Sequence, residues 1–229
     1  MKKLLAAVMI LGIAFFNLSV SQASNINENA KVREQVEIIK EHATSLNKSQ
    51  IKKAEKAIKK AIDEKKITLK GEGNLSFEEA SGYKFDETQD NIQTITIPYK
   101  ENVESEVSSL NNVTVVFDST SDIKQYSEVK INETSTHAKS TVYVNGKEAG
   151  STTIEKTNTK SNGDFQTAGY IDDVNKCMKK YGVSPETASL AISTCGLVCT
   201  VSAGTLCIPC LGTIGAASGG VIVACMINP

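Results

Sequence analysis

The sequence predicts an α+β fold: N-terminal helices against an antiparallel β-meander, followed by a small disulfide-linked all-α apolar domain. Three observations carry that expectation. Apolar residues recur at helical spacing up to residue 66, the period changes to two between about residues 91 and 156, and all six cysteines stand in a C-terminal stretch that has no charged residue from Thr187 onward. The divisions that follow are a signal peptide (1–23), a proregion (24–156), a linker (157–170) and a cysteine-rich domain (171–229).

Met1 to Ala23 has the layout of a secretory signal. Lys2 and Lys3 form a positive start, Leu4 to Phe16 is an apolar run, and Ser21-Gln22-Ala23 offers the small residues of a cleavage site. The run is shorter than the roughly 20 residues a membrane span needs. Cleavage after Ala23 leaves a secreted chain that begins at Ser24.

Helices are expected over 30–66. Val32, Val36 and Ile39 share one helical face, and Ile51, Ala54, Ala57, Ile58, Ala61 and Ile62 share another. Ser45 to Ser49 interrupts the pattern, with Ser49 as the expected N-cap of the second helix. That helix carries Lys48, Lys52, Lys53, Lys56, Lys59, Lys60, Lys65 and Lys66 against Glu55, Asp63 and Glu64. Such a face can bind an anionic surface, or it can simply be the solvated side of a helix whose Ile/Ala stripe packs inward. The second reading is favoured, because Ala and Ile make a weak membrane face.

Gly71-Glu72-Gly73-Asn74 breaks the chain, and the acidic stretch Leu75 to Asp90 reads as a linker or a first weak strand. From Asn91 the alternation takes over. Ile92, Thr94 and Thr96 point one way, and Gln93, Ile95 and Ile97 the other. Val113 to Phe117, Tyr126 to Thr134, Ser140 to Val144 and Lys147 to Lys156 continue the meander, and Asn145-Gly146 marks a type I′ hairpin. Four or five strands are expected, one face covered by the N-terminal helices and one solvated along Lys139 to Lys156.

Thr157 to Gly163 contains no apolar residue, which suits an exposed linker open to a processing protease. Beyond it, Ile171 to Tyr181 forms a short amphipathic helix ended by Gly182. Ser184-Pro185-Glu186 then restarts the chain as N-cap, first helical residue and first-turn acid. This helix runs through Cys195 and Cys199, and a second apolar helix, about Ile208 to Met226, returns with Cys210 and Cys225.

An exported chain with Cys177, Cys195, Cys199, Cys207, Cys210 and Cys225 calls for three disulfides, in any of 15 pairings. Cys207 and Cys210 also have zinc-ligand spacing, but no second such pair and no nearby His accompany them, so no metal is expected. Chemistry elsewhere is sparse. His42 and His137 stand in unrelated polar segments, and Glu78-Glu79 and Asp172-Asp173 have no apolar surroundings, so no catalytic residue, cofactor or enzyme activity is expected. With 25 basic against 26 acidic residues, and no aromatics among the lysines of the basic helix, no nucleic-acid partner is expected either.

The segments Cys195-Gly-Leu-Val-Cys199, Cys207-Ile-Pro-Cys210 and Cys225, in an uncharged end behind a charged secreted proregion, resemble the halocin-like bacteriocin precursors. That resemblance implies an antimicrobial peptide released from its precursor by a protease, with an immunity protein as a further partner. The residues point the same way. Leu190, Ile192, Leu197 and Val198 on the first helix, and Ile208, Leu211, Ile214, Val221, Ile222 and Val223 on the second, supply a surface for the membrane of a competitor bacterium. Lys176, Lys179 and Lys180 supply the initial attraction to anionic lipid. The alternative is a surface protein held at the membrane by the same apolar hairpin.

Overall fold

The structure is a computed structural model that describes residues 41, 43–85, 91–100, 107, 110–156, 170–202, 206, 207, 210 and 225. The expected signal, the first N-terminal helix with His42, the linker and most of the second C-terminal helix lie outside them.

Eight antiparallel strands form one sheet. They are β1 (Ala43–Ser45), β2 (Asn74–Leu75), β3 (Ser81–Phe85), β4 (Gln93–Lys100), β5 (Asn112–Phe117), β6 (Ile123–Glu133), β7 (His137–Val144) and β8 (Lys147–Glu155). Among the described residues three α-helices accompany it: α1 (Lys48–Asp63), α2 (Tyr170–Lys180) and α3 (Pro185–Val201). From β3 onward each strand pairs with the next in sequence, giving the order β1-β3-β4-β5-β6-β7-β8, and β2 pairs with the far end of β4.

The meander is larger than the four or five strands expected. Ala43–Ser45, assigned above to the helices of 30–66, instead pairs with β3 through Thr44 and Lys84. Its Thr and Ser are poor helix formers, and an open strand edge lies beside them. The stretch from Leu75, read as linker or weak strand, supplies β3 and a 3₁₀ turn over Phe77–Glu79.

The N-cap of α1 is Asn47, two residues before the Ser49 expected for it. Asn47 Oδ1 accepts from Gln50 N at 3.0 Å, and Gln50 Oε1 accepts from Asn47 N at 2.8 Å. This reciprocal pair satisfies two donors at once, and Ser49 has only Lys52 at the matching position. The hairpin at Asn145-Gly146 is as read, with φ of 49° and 75°. A Cβ at Gly146 would stand 2.9 Å from Tyr126 Oη, so conformation and space both call for glycine there.

Strand pleating sends alternate residues to opposite faces, and the two faces have different chemistry. One carries Ile95, Ile97, Tyr99, Val113, Val115, Phe117 and Tyr126, packed against Ile58 and Ala61 of α1. The other carries Val116, Val129, Ile131, Ala138 and Val142, packed against Val174, Met178, Leu190, Ala191, Cys195 and Val198 of α2 and α3. Both faces are therefore covered over part of their extent. Over Lys139 to Lys156 the solvated side is the one shared with α1, where Lys139, Ser151, Thr153 and Glu155 are exposed, while Ser140 and Val142 are buried toward the C-terminal helices.

A carboxylate locks the chain leaving α1 onto the sheet. Glu128, fully buried on β6, accepts from Lys70 N at 2.7 Å, Gly71 N at 2.5 Å and Tyr99 Oη at 2.7 Å. Two residues away on either side, Tyr126 Oη accepts from Thr68 N, and Lys130 Nζ donates to Lys70 O. Burial, and then the hydrogen bond to Glu128, push the Tyr99 hydroxyl far above the ordinary tyrosine value.

Candidate functional site

The candidate site is the seam between the sheet and the cysteine-rich unit. Its helical parts form for local reasons. Ser184 Oγ accepts from Thr187 N at 3.2 Å, Pro185 opens α3 and Glu186 lies in its first turn, while Gly182 ends the preceding segment with φ of 82°. After α3, Ser202 Oγ donates to Val198 O at 2.7 Å and accepts from Leu206 N at 3.0 Å, which turns the chain back.

The six cysteines form three nested disulfides: Cys177–Cys225, Cys195–Cys210 and Cys199–Cys207. Cys195 and Cys199 are about one helical turn apart, as are Cys207 and Cys210, where Cys210 N donates to Leu206 O to close the turn. Two segments running in opposite directions pair such positions outermost with outermost. The nesting thus ties α2 and α3 to the chain that returns past them, and no thiol is left for a metal. Three disulfides suit an oxidising compartment. Among the described residues no helix is long and apolar enough to cross a membrane.

The structure hides the apolar residues assigned to the membrane. Leu190 is fully buried, Val198 nearly so, and Ile192 and Leu197 are half-buried against the same core. Leu197 enters a notch at Gly150 on β8, where its Cδ1 stands 2.9 Å from the position a Cβ would take. Ile208, Leu211, Ile214, Val221, Ile222 and Val223 lie outside the described residues. Lys176, Lys179 and Lys180 are exposed on α2, Lys176 meeting Asp173 at 3.3 Å. The two groups separate: apolar residues of α3 face the sheet, and the cations of α2 face water.

The sheet side of the seam was not read from the sequence. Thr94, Thr96, Asn112, Thr114, Ser127 and Ser140 are all buried on the side of the sheet on which α2 and α3 lie, where α3 itself covers β7 and β8. Some are satisfied: Thr96 and Thr114 hydroxyls lie 3.0 Å apart, and Asn112 Nδ2 donates to Leu110 O at 2.7 Å. Among the described residues Ser140 has a buried hydroxyl without a hydrogen-bond partner, as do Ser81, which register places beside Thr96 on this same face, and Thr194 on α3. Alternating threonines were the available signal, but alternation alone reads as a solvated face.

His137 is exposed at the start of β7, its Nδ1 2.7 Å from Thr136 Oγ1, and Glu78 and Glu79 are exposed beside α1. No group of three His, Cys, Asp or Glu side chains able to hold a metal occurs among the described residues. What the seam defines is a pair of helices, α2 and α3, tied by disulfides to the chain that follows them and seated on a sheet side that carries both apolar side chains and buried hydroxyls. Comparison with protein-family models, curated proteins and solved structures returned no match.

Proposed function

We propose that the chain is the secreted precursor of a bacteriocin-like peptide, in which the sheet holds the cysteine-rich unit in a latent form. The observation that carries this reading is the seam itself. An uncharged, disulfide-stapled hairpin turns Leu190, Ala191, Cys195 and Val198 away from water onto Val129, Ile131, Ala138 and Val142, on a side of the sheet that also buries serine and threonine hydroxyls. Those hydroxyls keep that side of the sheet wettable after the hairpin departs, as separable interfaces are.

Proteolysis within the linker would release the unit with its bridges intact. In water its apolar side chains have nowhere to go; at a bilayer, lipid takes the place of the sheet. Helix α3 has 17 residues, about 26 Å of helix, which is slightly less than the ~30 Å hydrocarbon core. The stapled pair therefore inserts and thins or perforates the target membrane, after Lys176, Lys179 and Lys180 have drawn it to anionic lipid.

Non-reducing intact mass spectrometry of culture medium, followed by killing assays on the same fractions, tests this. The expected species ends at Pro229, is six hydrogens lighter than the reduced chain and begins near the linker. Killing should follow that species and vanish when residues 187–229 are deleted. Killing by the truncated chain would refute the proposal. Full-length material confined to membranes would point to the anchored surface protein.

A further inference from the structure

Helix α1 lies on the sheet face opposite the cysteine-rich unit, and its outward surface is a strip of lysines. Lys48, Lys52, Lys53, Lys56, Lys59 and Lys60 are all exposed along about 18 Å of helix, and Glu55 is the one acid in that span. Glu55 is already engaged by Lys59 at 2.5 Å, and Lys60 reaches Glu64 at 3.7 Å. Lys48, Lys52, Lys53 and Lys56 make no ion pair among the described residues.

Helix stability does not account for this arrangement. Lys48, Lys52 and Lys56 follow one another at four-residue spacing, where like charges repel and a glutamate would attract. No acid stands in the first turn, although the positive end of the helix dipole favours one. The apolar stripe is committed to the sheet through Ile58 and Ala61, so α1 meets a partner with its charges alone. Glu78 and Glu79 flank the far half of the strip, where Lys59 lies over the Phe77 ring, so the cationic centre is Lys48 to Lys56.

We propose that this strip docks the exported protein on an anionic lipid bilayer through headgroup contacts, with the cysteine-rich unit turned to the opposite side. A flat partner fits the charge map. The rest of the chain is net acidic, so a long polyanion following the helix would soon leave the strip and meet like charge, whereas a bilayer touches one face only. No aromatic side chain interleaves the lysines to stack nucleic-acid bases.

The test is co-sedimentation of the disulfide-intact chain with vesicles of phosphatidylcholine alone or mixed with phosphatidylglycerol, at low and high salt. Wild type is expected to bind only the mixed vesicles and to be released by salt. The combined Lys48→Gln, Lys52→Gln, Lys53→Gln and Lys56→Gln variant should bind on the order of 10²-fold more weakly. Gln matches Lys in helix propensity and removes the repulsion, so far-ultraviolet circular dichroism should show the helix retained. The charge-conserving Lys48→Arg, Lys52→Arg, Lys53→Arg and Lys56→Arg variant should keep the binding within about twofold, because headgroup attraction needs the charge rather than the lysine. Wild-type-like binding by the glutamine variant, no binding by wild type, or loss of binding through the arginine variant would overturn the proposal. So would equally tight binding of soluble poly(glycerol phosphate), which would make the partner a polymer. None of these outcomes depends on antibacterial activity.

Discussion

Ser140 on β7 and Thr194 on α3 bury hydroxyls that have no hydrogen-bond partner among the described residues, one residue fully buried and the other 3% exposed. A buried hydroxyl left unpaired costs about 1–3 kcal/mol relative to one bonded to water in the unfolded chain. Removing it should therefore stabilise the protein, against the usual run of core substitutions. Thr194→Val replaces the hydroxyl with a methyl of equal size and should add about 1–2 kcal/mol. Ser140→Ala also opens a small void, so about 1 kcal/mol is expected from it. Urea unfolding of the oxidised chain reads both, with an unchanged slope and a higher midpoint. Thermal midpoints should rise by roughly 2–4 °C per kcal/mol for a chain of this length. A second readout isolates the seam: once the linker is cut, each variant should hold the cysteine-rich fragment on the sheet about tenfold longer, the kinetic equivalent of ~1.4 kcal/mol. Destabilisation by 1 kcal/mol or more would refute the reasoning, because it would mean that each hydroxyl has a partner worth more than its burial costs.

Three further outcomes are expected. Replacing Cys177 and Cys225 by serine should cost about 4 kcal/mol, and replacing Cys199 and Cys207 about 2.5 kcal/mol, since the first pair spans 48 residues and the second 8; urea midpoints should rank them in that order. Gly146→Ala should cost about 1–2 kcal/mol in the same assay, through its positive φ and the Tyr126 hydroxyl beside it. Above about pH 10, where an unfolded tyrosine ionises, the buried Tyr99 keeps its proton, so stability should fall as pH rises; the Tyr99→Phe variant should show a shallower fall in stability measured from pH 9 to 11.

The parts legible from sequence were those whose cause is local. Asn145-Gly146 announces its turn because both residues tolerate positive φ, and Ser184-Pro185-Glu186 announces a helix start because each residue solves a problem of the first turn. Ile95 and Ile97 could be assigned to one face by alternation alone. What escaped depends on contacts distant in sequence. Thr94, Thr96 and Thr114 look solvated by alternation, yet all three are buried in the folded chain. Ala43–Ser45 is a strand only because β3 offers it an edge. The three disulfides were chosen from 15 pairings by the antiparallel return of the chain, which cysteine spacing permits and does not dictate. At the candidate site, the peptide side was read from its composition, and the sheet that receives it was not.

The order of the elements along the chain also sets a clock. Every strand among the described residues lies before Lys156, and the helices α2 and α3 that pack on the sheet come later. At ordinary synthesis rates of about 5–20 residues per second, the sheet has several seconds to form before the last cysteine exists. The most apolar part of the molecule thus emerges into the presence of its own finished receptor. A circular permutant that makes residues 170–229 first would keep every contact and lose that head start, and aggregation during biosynthesis would expose the difference.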